Sequence, residues 1–274
     1  MKSAGEPAAD DNQGEYVQSL ERGIAVIRAF GLHRVSLTIS DVAEATGLTR
    51  ATARRFLLTL ERMGYVRHDG REYSLRPRVL ELGYAYLSGF TLAEVAQPFL
   101  NDLMVKVQES TSIAVRDGGE LVYVAHAAPQ RIMTINVPIG GRDPLYCTAL
   151  GRVLLAGQRD DEIDRYLAAT KFQAHTAATI TDPAQLRAAV LRVREEGYSL
   201  IEDQLEEGLV AMAVPMRDRS GAVVAAMNIS AYSPRTTPEG LRVNYLPLLR
   251  QTAADIQQEM RAAAQFGTSH DGDS

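Results

Sequence analysis

The sequence predicts a mixed α/β (α+β) chain in two parts. A small basic helical module ends in a β-hairpin, and a larger body of antiparallel strands carries helices packed against it. Three observations predict this. From Tyr16 to Arg78 there are 11 basic side chains against 6 acidic ones, whereas from Val79 to Ser274 acids outnumber bases by 24 to 17. In the first stretch apolar residues recur at helical spacing between capping signals. In the second, short apolar runs flank Gly-containing turns in chain order, the pattern of hairpins in an antiparallel sheet.

The elements follow in order. Residues 1–15 are polar and aperiodic and read as a tail. In SLERGIAVIRAF, Ser19 is the expected N-cap, and Leu20, Ile24, Ile27 and Phe30 form a helical stripe. In TISDVAEATG, Thr38 and Asp41 make a capping signature and Gly47 closes a short helix. The third helix is opened by Thr49 and stopped by Gly64, and a hairpin turns at Asp69-Gly70. A helical connector runs from Val79 to about Glu109, with Thr91 and Glu94 as a second start signal and Pro98 as an expected kink. In the body, one hairpin turns at Asp117-Gly118-Gly119, and RIMTINVPIG is the next expected strand. Thr148 opens the helix ALGRVLLA, Asp182-Pro183 opens another that ends at Gly197, and two apolar strands meet at DRSG. A last helix is expected from about Pro238 to Gln265.

Composition narrows the class. A chain of 274 residues, 46% hydrophobic and 23% charged, is neither disordered nor of low complexity. No apolar run approaches the roughly 20 residues of a membrane span, and the first residues lack the apolar stretch of a secretory signal. Cys147 is the only cysteine, so no intramolecular disulfide forms and a reducing cytoplasm is the simplest expectation. The five histidines lack zinc spacing, and no phosphate-loop or dinucleotide fingerprint occurs. Neither a metal, a cofactor nor a catalytic residue is expected.

The first module carries the most informative spacing. Ala43, Gly47 and Ala53, with Val42, Leu48 and Phe56, supply the small, turning and locking residues of two helices crossing at a tight turn. With the hairpin behind it this is a winged helix-turn-helix, and double-stranded DNA is the expected partner. At 100° per residue, Ala53, Phe56, Leu57, Leu60 and Met63 share one face of the third helix, and Arg50, Ala51, Arg54, Arg55 and Arg62 lie opposite. A guanidinium fork matches guanine O6 and N7 and also pairs with phosphate. Arg50, Ala51 and Arg54 are therefore the candidates for base contact, with Thr49, Thr52 and Arg55 nearer the backbone. Arg67, His68 and Arg71 flank the hairpin turn, where they reach phosphate or the minor groove. The bland alternative, a merely solvated charged face, explains one isolated helix but not capping, turn, packing and charge together.

These residues resemble the IclR family of bacterial transcriptional regulators. The stretch LTISDVAEATGLTRATARRFLLTLERMGYVRHDGREYSLRPRVLELG is similar to that family's DNA-binding domain throughout. The likeness continues through GGELVYV, PLYCTALGRVLLA, ITDPAQLRAAVLRVREEGYSL, EDQLEEGLVAMAVPMRD and GAVVAAMNISAY, so that it covers nearly all of residues 17–262. TRATARRFLLTL, LRPRVLELGYAYL, QRIMTINVPIG and YCTALGRVLLA point to the branch controlling protocatechuate and β-ketoadipate catabolism (the PcaR, PcaU and PobR type). Arg54 stands where many relatives carry His.

The resemblance implies a GAF-like effector-binding domain, a homodimer or dimer of dimers, no membrane association, and a carboxylic-acid effector, either an aromatic acid or a ring-cleavage product. The division that follows is a tail at 1–15, a winged helix-turn-helix at 16–77 with its motif at about 38–57, linker helices at 78–109, an effector-binding domain at 91–265, and a tail at 266–274. By resemblance the effector lies against Ala149 and Leu150, where Thr148 leads into a helix whose N-terminus presents free N–H groups. Leu209, Ala211, Asn228 and Ser230 fall at further pocket positions, and Ile201 replaces a polar family residue. Met133, Met212 and Met227 read either as pocket wall or as plain core. Arg131 and Arg142 read equally as partners of a second carboxylate or as exposed loop arginines.

Cys147 with His126 or His175 lacks the third group of a nucleophilic pair, and Glu202, Asp203, Glu206 and Glu207 read as a solvated acidic loop or helix. Two rival functions are an enzyme for aromatic acids with a DNA-binding appendage, and an architectural DNA-binding protein without an effector.

Overall fold

The computed structural model describes residues 16–31, 34–82, 91–131, 135, 137–232 and 236–267, with side chains described as far as 262. It divides into two compact units, 1–89 and 90–274.

The smaller unit contains α1 (Gln18–Arg28), β1 (Ser36–Leu37), α2 (Ile39–Thr46), α3 (Arg50–Arg62), β2 (Val66–His68) and β3 (Tyr73–Leu75). Its strands form an antiparallel sheet in the order β1-β3-β2. Local chemistry sets the boundaries. The Thr38 hydroxyl accepts from the Asp41 N–H at 3.3 Å, while the Asp41 carboxylate accepts from the Thr38 N–H at 2.8 Å, a reciprocal box that opens α2. Gly47 takes φ 67° and ends it, a left-handed conformation that costs glycine no Cβ clash. The Asp69 carboxylate accepts from the N–H groups of Arg71 and Glu72 and fixes the hairpin turn.

Two expectations for α1 are corrected. Val17, not Ser19, precedes the helix, and Ser19 lies within it. The buried face carries Val26 and Phe30, with Gly23 against Phe56, whereas Leu20 and Ile24 are exposed. Val26 and Phe30 join the core formed by Val42, Ala53, Leu57 and Leu60, and that packing decides which apolar stripe turns inward. Met63, expected on the buried face of α3, is 50% exposed because it caps the helix beyond its last packed turn, which ends with Leu60.

The larger unit begins with α4 (Thr91–Val107), the helix that contains Pro98. A six-stranded sheet follows: β4 (Ser110–Asp117), β5 (Glu120–Ala127), β6 (Arg142–Pro144), β7 (Ser199–Glu202), β8 (Leu209–Arg217) and β9 (Val223–Tyr232). Its order is β6-β5-β4-β9-β8-β7, antiparallel throughout, with a register shift between Ile113 and Ala114. The helices are α5 (Ala149–Ala156), α6 (Asp160–Ala169), α7 (Pro183–Glu196) and α8 (Leu246–Gly267). A short turn (Pro238–Gly240) and a π-helical turn (Leu241–Tyr245) precede α8, so the last helical region is not one uniform helix. β7 and α6 are absent from the sequence reading; Gly197 and the acidic run hid the first, and α6 lacks the Thr or Asp cap that opens α2, α3, α5 and α7.

The sheet has a core on each face. One packs Leu100, Leu103, Leu249 and Ile256 against Met212 and Met227. The other packs Leu150, Val153, Leu154 and α7's Leu186 against small sheet residues such as Ala211, Ala213 and Ala226. Alternation along β8 and β9 sends Met212 and Met227 to the α4–α8 side, and Ala211 and Asn228 to the α5 side. Among the described residues the strand that follows β5 is Arg142–Pro144, and much of the expected strand RIMTINVPIG lies outside them. Of that stretch, 132–134 and 136 lie outside the described residues, and the described ones form no strand.

Candidate nucleic-acid interface and effector cavity

In the smaller unit the Thr49 hydroxyl accepts from the Thr52 N–H and sits 2.9 Å from the Thr52 hydroxyl, starting α3. Ala53, Leu57 and Leu60 are buried, which turns Arg50, Ala51, Arg54, Arg55 and Arg62 outward, all exposed. Among the described residues the side chains of Arg54, Arg55 and Arg62 make no hydrogen bond or ion pair, so their guanidinium groups are free to meet an anion. Arg50 differs: its Nε and Nη2 both donate to the Ser40 hydroxyl of α2, which braces the start of α3. In the wing, Arg67 donates from Nε to the Ser74 hydroxyl at 2.8 Å, His68 stacks on Tyr73 at 4.3 Å, and Arg71 lies exposed at the turn. Arg78 is an addition that spacing did not suggest: it donates to the Met63 carbonyl at the end of α3 and lies 5.6 Å over the Tyr65 ring.

In the larger unit, Thr148 caps α5. Its hydroxyl accepts from the Gly151 N–H at 3.1 Å and donates to the Pro144 carbonyl at 2.9 Å. The N–H groups of Ala149 and Leu150 precede any intrahelical acceptor; among the described residues nothing accepts from them. Both residues line a cavity of about 300 Å³. Seven of the eight expected effector residues line it: Thr148, Ala149 and Leu150 from the start of α5, Leu209 and Ala211 from β8, and Asn228 and Ser230 from β9. The eighth, Met133, lies outside the described residues. Asn228 is buried and donates from Nδ2 to the Ser230 hydroxyl at 2.8 Å, while its Oδ1 is buried with no partner among the described residues.

Sequence reasoning did not place Tyr123, Asp143, Leu205 and Glu206 in this wall. The first two leave no local signal. The other two lie in the acidic loop read as solvated, of which Glu206 reaches the cavity and Glu207 is exposed. Arg142 pairs with Asp117 and Glu120 at 2.7 Å each, and Arg131 bonds Gln108; neither lines the cavity. Met212 and Met227 belong to the core on the opposite face. Cys147 is buried, and burial pushes its thiol up to about 12, away from nucleophilic use. His126 bonds Ser112 and His175 bonds Tyr146; among the described residues neither bonds Cys147. Among the described residues no cluster is placed to hold a metal, and no helix is long and apolar enough to cross a membrane.

A winged helix-turn-helix with unpaired arginines on its third helix, in one chain with a domain that encloses a small-molecule cavity, defines a DNA-binding transcriptional regulator with a sensory domain. Comparison with known proteins agrees. Residues 19–70 match the IclR helix-turn-helix domain, and residues 84–258 match the bacterial transcriptional regulator IclR C-terminal domain. The chain belongs to the IclR family of transcriptional regulators. It is 39% identical over 247 residues to the Pca regulon regulatory protein of Pseudomonas putida, covering 90% of this chain and 85% of that one. It is 36% identical over 249 residues to the p-hydroxybenzoate hydroxylase transcriptional activator of Acinetobacter baylyi, covering 89% and 92%. A crystal structure of a transcriptional regulator from Rhodococcus sp. RHA1 is 52% identical, with a TM-score of 0.82 over 90% of this chain and 100% of that one. The named relatives are regulators, not enzymes.

Proposed function

We propose that this regulator senses an aromatic carboxylic acid and controls genes for its catabolism. The observation that carries the reading is the cavity at the start of α5. Residues as distant in sequence as Thr148 and Ser230 share one wall, and two free N–H groups offer a carboxylate its hydrogen bonds. Apolar side chains from Leu150, Ile201 and Leu209 suit a ring. The names of the Pseudomonas and Acinetobacter relatives favour aromatic acids over other carboxylates.

In this reading residues 16–77 bind DNA, 78–109 connect, and 91–265 bind the effector. Arg50, Ala51 and Arg54 face bases, and Thr49, Thr52, Arg55 and the wing residues Arg67, His68 and Arg71 hold the backbone. One recognition helix reads one half-site, so the protein acts as a homodimer or dimer of dimers, and effector binding alters how two such helices fit their spacing. A DNA partner and a single free thiol favour the cytoplasm. The test is a salt-titrated operator-binding assay with and without protocatechuate, 4-hydroxybenzoate and β-ketoadipate. At least one of the two aromatic acids is expected to change operator affinity; equal affinity with both and unaltered promoter output, or a response to β-ketoadipate alone, overturns the reading.

A further inference from the structure

The cavity wall carries two carboxylates, Asp143 and Glu206, and among the described residues no lysine, arginine or histidine. An anionic effector has no side-chain cation to meet there, so its carboxylate belongs at the N-terminus of α5. Glu206 is exposed, and water solvates it. Asp143 is more enclosed. Its Oδ2 accepts from the Tyr123 hydroxyl at 2.8 Å, and among the described residues its Oδ1 has no hydrogen bond. Arg142, the next residue in the chain, is committed to Asp117 and Glu120 and does not pair with Asp143. Burial and the neighbouring Asp143 carboxylate push the Tyr123 phenol upward, so it stays a donor and holds Asp143 as an acceptor.

We infer that Asp143, positioned by Tyr123, sets effector specificity: its open oxygen accepts a hydrogen bond from a hydroxyl on the acid, and its charge bars a second carboxylate. The inference rests on the reading of this cavity as an aromatic-acid site, and deepens it. A ring that fills the cavity displaces water from this carboxylate oxygen, and the oxygen then needs a donor in return. A phenolic hydroxyl supplies that donor through a charge-assisted bond, whereas a bare ring desolvates the oxygen and offers nothing in exchange. A dianion brings like charge against Asp143 with no described cation in the wall to offset it. The cavity therefore selects hydroxylated aromatic monoacids over unsubstituted ones and over open-chain diacids.

Calorimetry on the full chain with 4-hydroxybenzoate, 3,4-dihydroxybenzoate, benzoate, 4-methoxybenzoate and adipate tests this, comparing the natural protein with Asp143→Leu and Asp143→Asn. The natural protein is expected to bind at least one hydroxylated acid about tenfold or more tightly than benzoate and the methyl ether, the range of a hydrogen bond to a charged group. Adipate is expected to bind weakest. Asp143→Leu should bring the hydroxyl-to-bare ratio near one. Asp143→Asn, of the same shape, should lower that ratio and improve adipate binding, and it serves if the leucine variant does not fold by circular dichroism. Aromatic acids that bind without hydroxyl preference, or a preference that survives in both variants, overturn the role of Asp143 alone. No binding by any aromatic acid overturns the parent reading and this one with it.

Discussion

Inside the larger unit the guanidinium of Arg152 meets the amide of Gln204: Nη2 donates to Oε1 at 2.6 Å, and each residue is less than a tenth exposed. Arg152 also donates from Nε to the Tyr146 carbonyl at 3.0 Å, and among the described residues it pairs with no carboxylate. Burial lowers its pKa to about 10, so it remains charged at neutral pH. Gln204 in turn accepts from the Ile180 N–H at 3.1 Å and donates to the Ala178 carbonyl. One amide thus ties the loop carrying Leu205 and Glu206, which wall the cavity, to α5.

Gln204→Leu leaves that guanidinium with an unmet donor, which is costlier than removing both partners. Gln204→Leu alone is expected to destabilise the protein by about 1.5–3 kcal/mol, the worth of a hydrogen bond to a charged group. Arg152→Met added to it should recover part of the loss. Urea unfolding of the four-member cycle measures the coupling, and strictly additive effects would show that the contact carries no energy.

Gly151 packs against the preceding turn so closely that a Cβ there would overlap the Leu145 carbonyl and Cα. Gly151→Ala must therefore displace the first turn of α5, which borders the cavity. The expected cost is about 1–3 kcal/mol, as for an overpacked core, with a parallel loss of effector affinity. Thermal unfolding and calorimetry together check this, and natural values in both would refute it.

Arg54 and Arg55 are both free among the described residues, yet they are assigned different roles. Arg54→Ala should cost about 1–3 kcal/mol of operator binding and relax preference at one base pair. Arg55→Ala should weaken operator and scrambled duplex alike and reduce the salt slope by about one. Binding isotherms on both duplexes across a salt series separate the two patterns; identical patterns would refute the division of roles.

His126 presents a buried Nε2 with no partner among the described residues, and burial lowers its pKa from the ordinary 6.5. The unfolded chain therefore takes up this proton first as pH falls. The neutral ring contributes stability above about pH 6.5, and the folded state loses it as the pH drops from there through the lowered value. Melting temperatures between pH 8 and pH 5 should decline less steeply in His126→Gln. A parallel decline in both proteins would assign the acid sensitivity elsewhere.

Much of the architecture is written in short-range signals. The Thr38–Asp41 box, the Gly47 and Gly197 ends, the Thr49 and Thr148 caps and the Asp69 turn each close a hydrogen bond within five residues. Such bonds need no distant partner, so residue identity alone specifies them. The outward arginines of α3 follow for the same reason, because a helix with one apolar face has only one face left for charge.

By itself, then, the amino-acid order determined the limits of α2 and α7, the start of α3 and of α5, the helix-turn-helix with its wing, and the hairpins that turn at Asp69-Gly70 and Gly118-Gly119. Tertiary structure alone decided which stripe of α1 is buried, because the core that Val26 and Phe30 join is supplied by α2, α3 and the small sheet. It alone placed Arg142 in an ion pair outside the cavity and Asp143 within its wall beside Tyr123. Those relations arise where strands far apart in sequence pair in the order β6-β5-β4-β9-β8-β7. Alternation then sorts each side chain to one face, and only the pairing brings the sorted residues together.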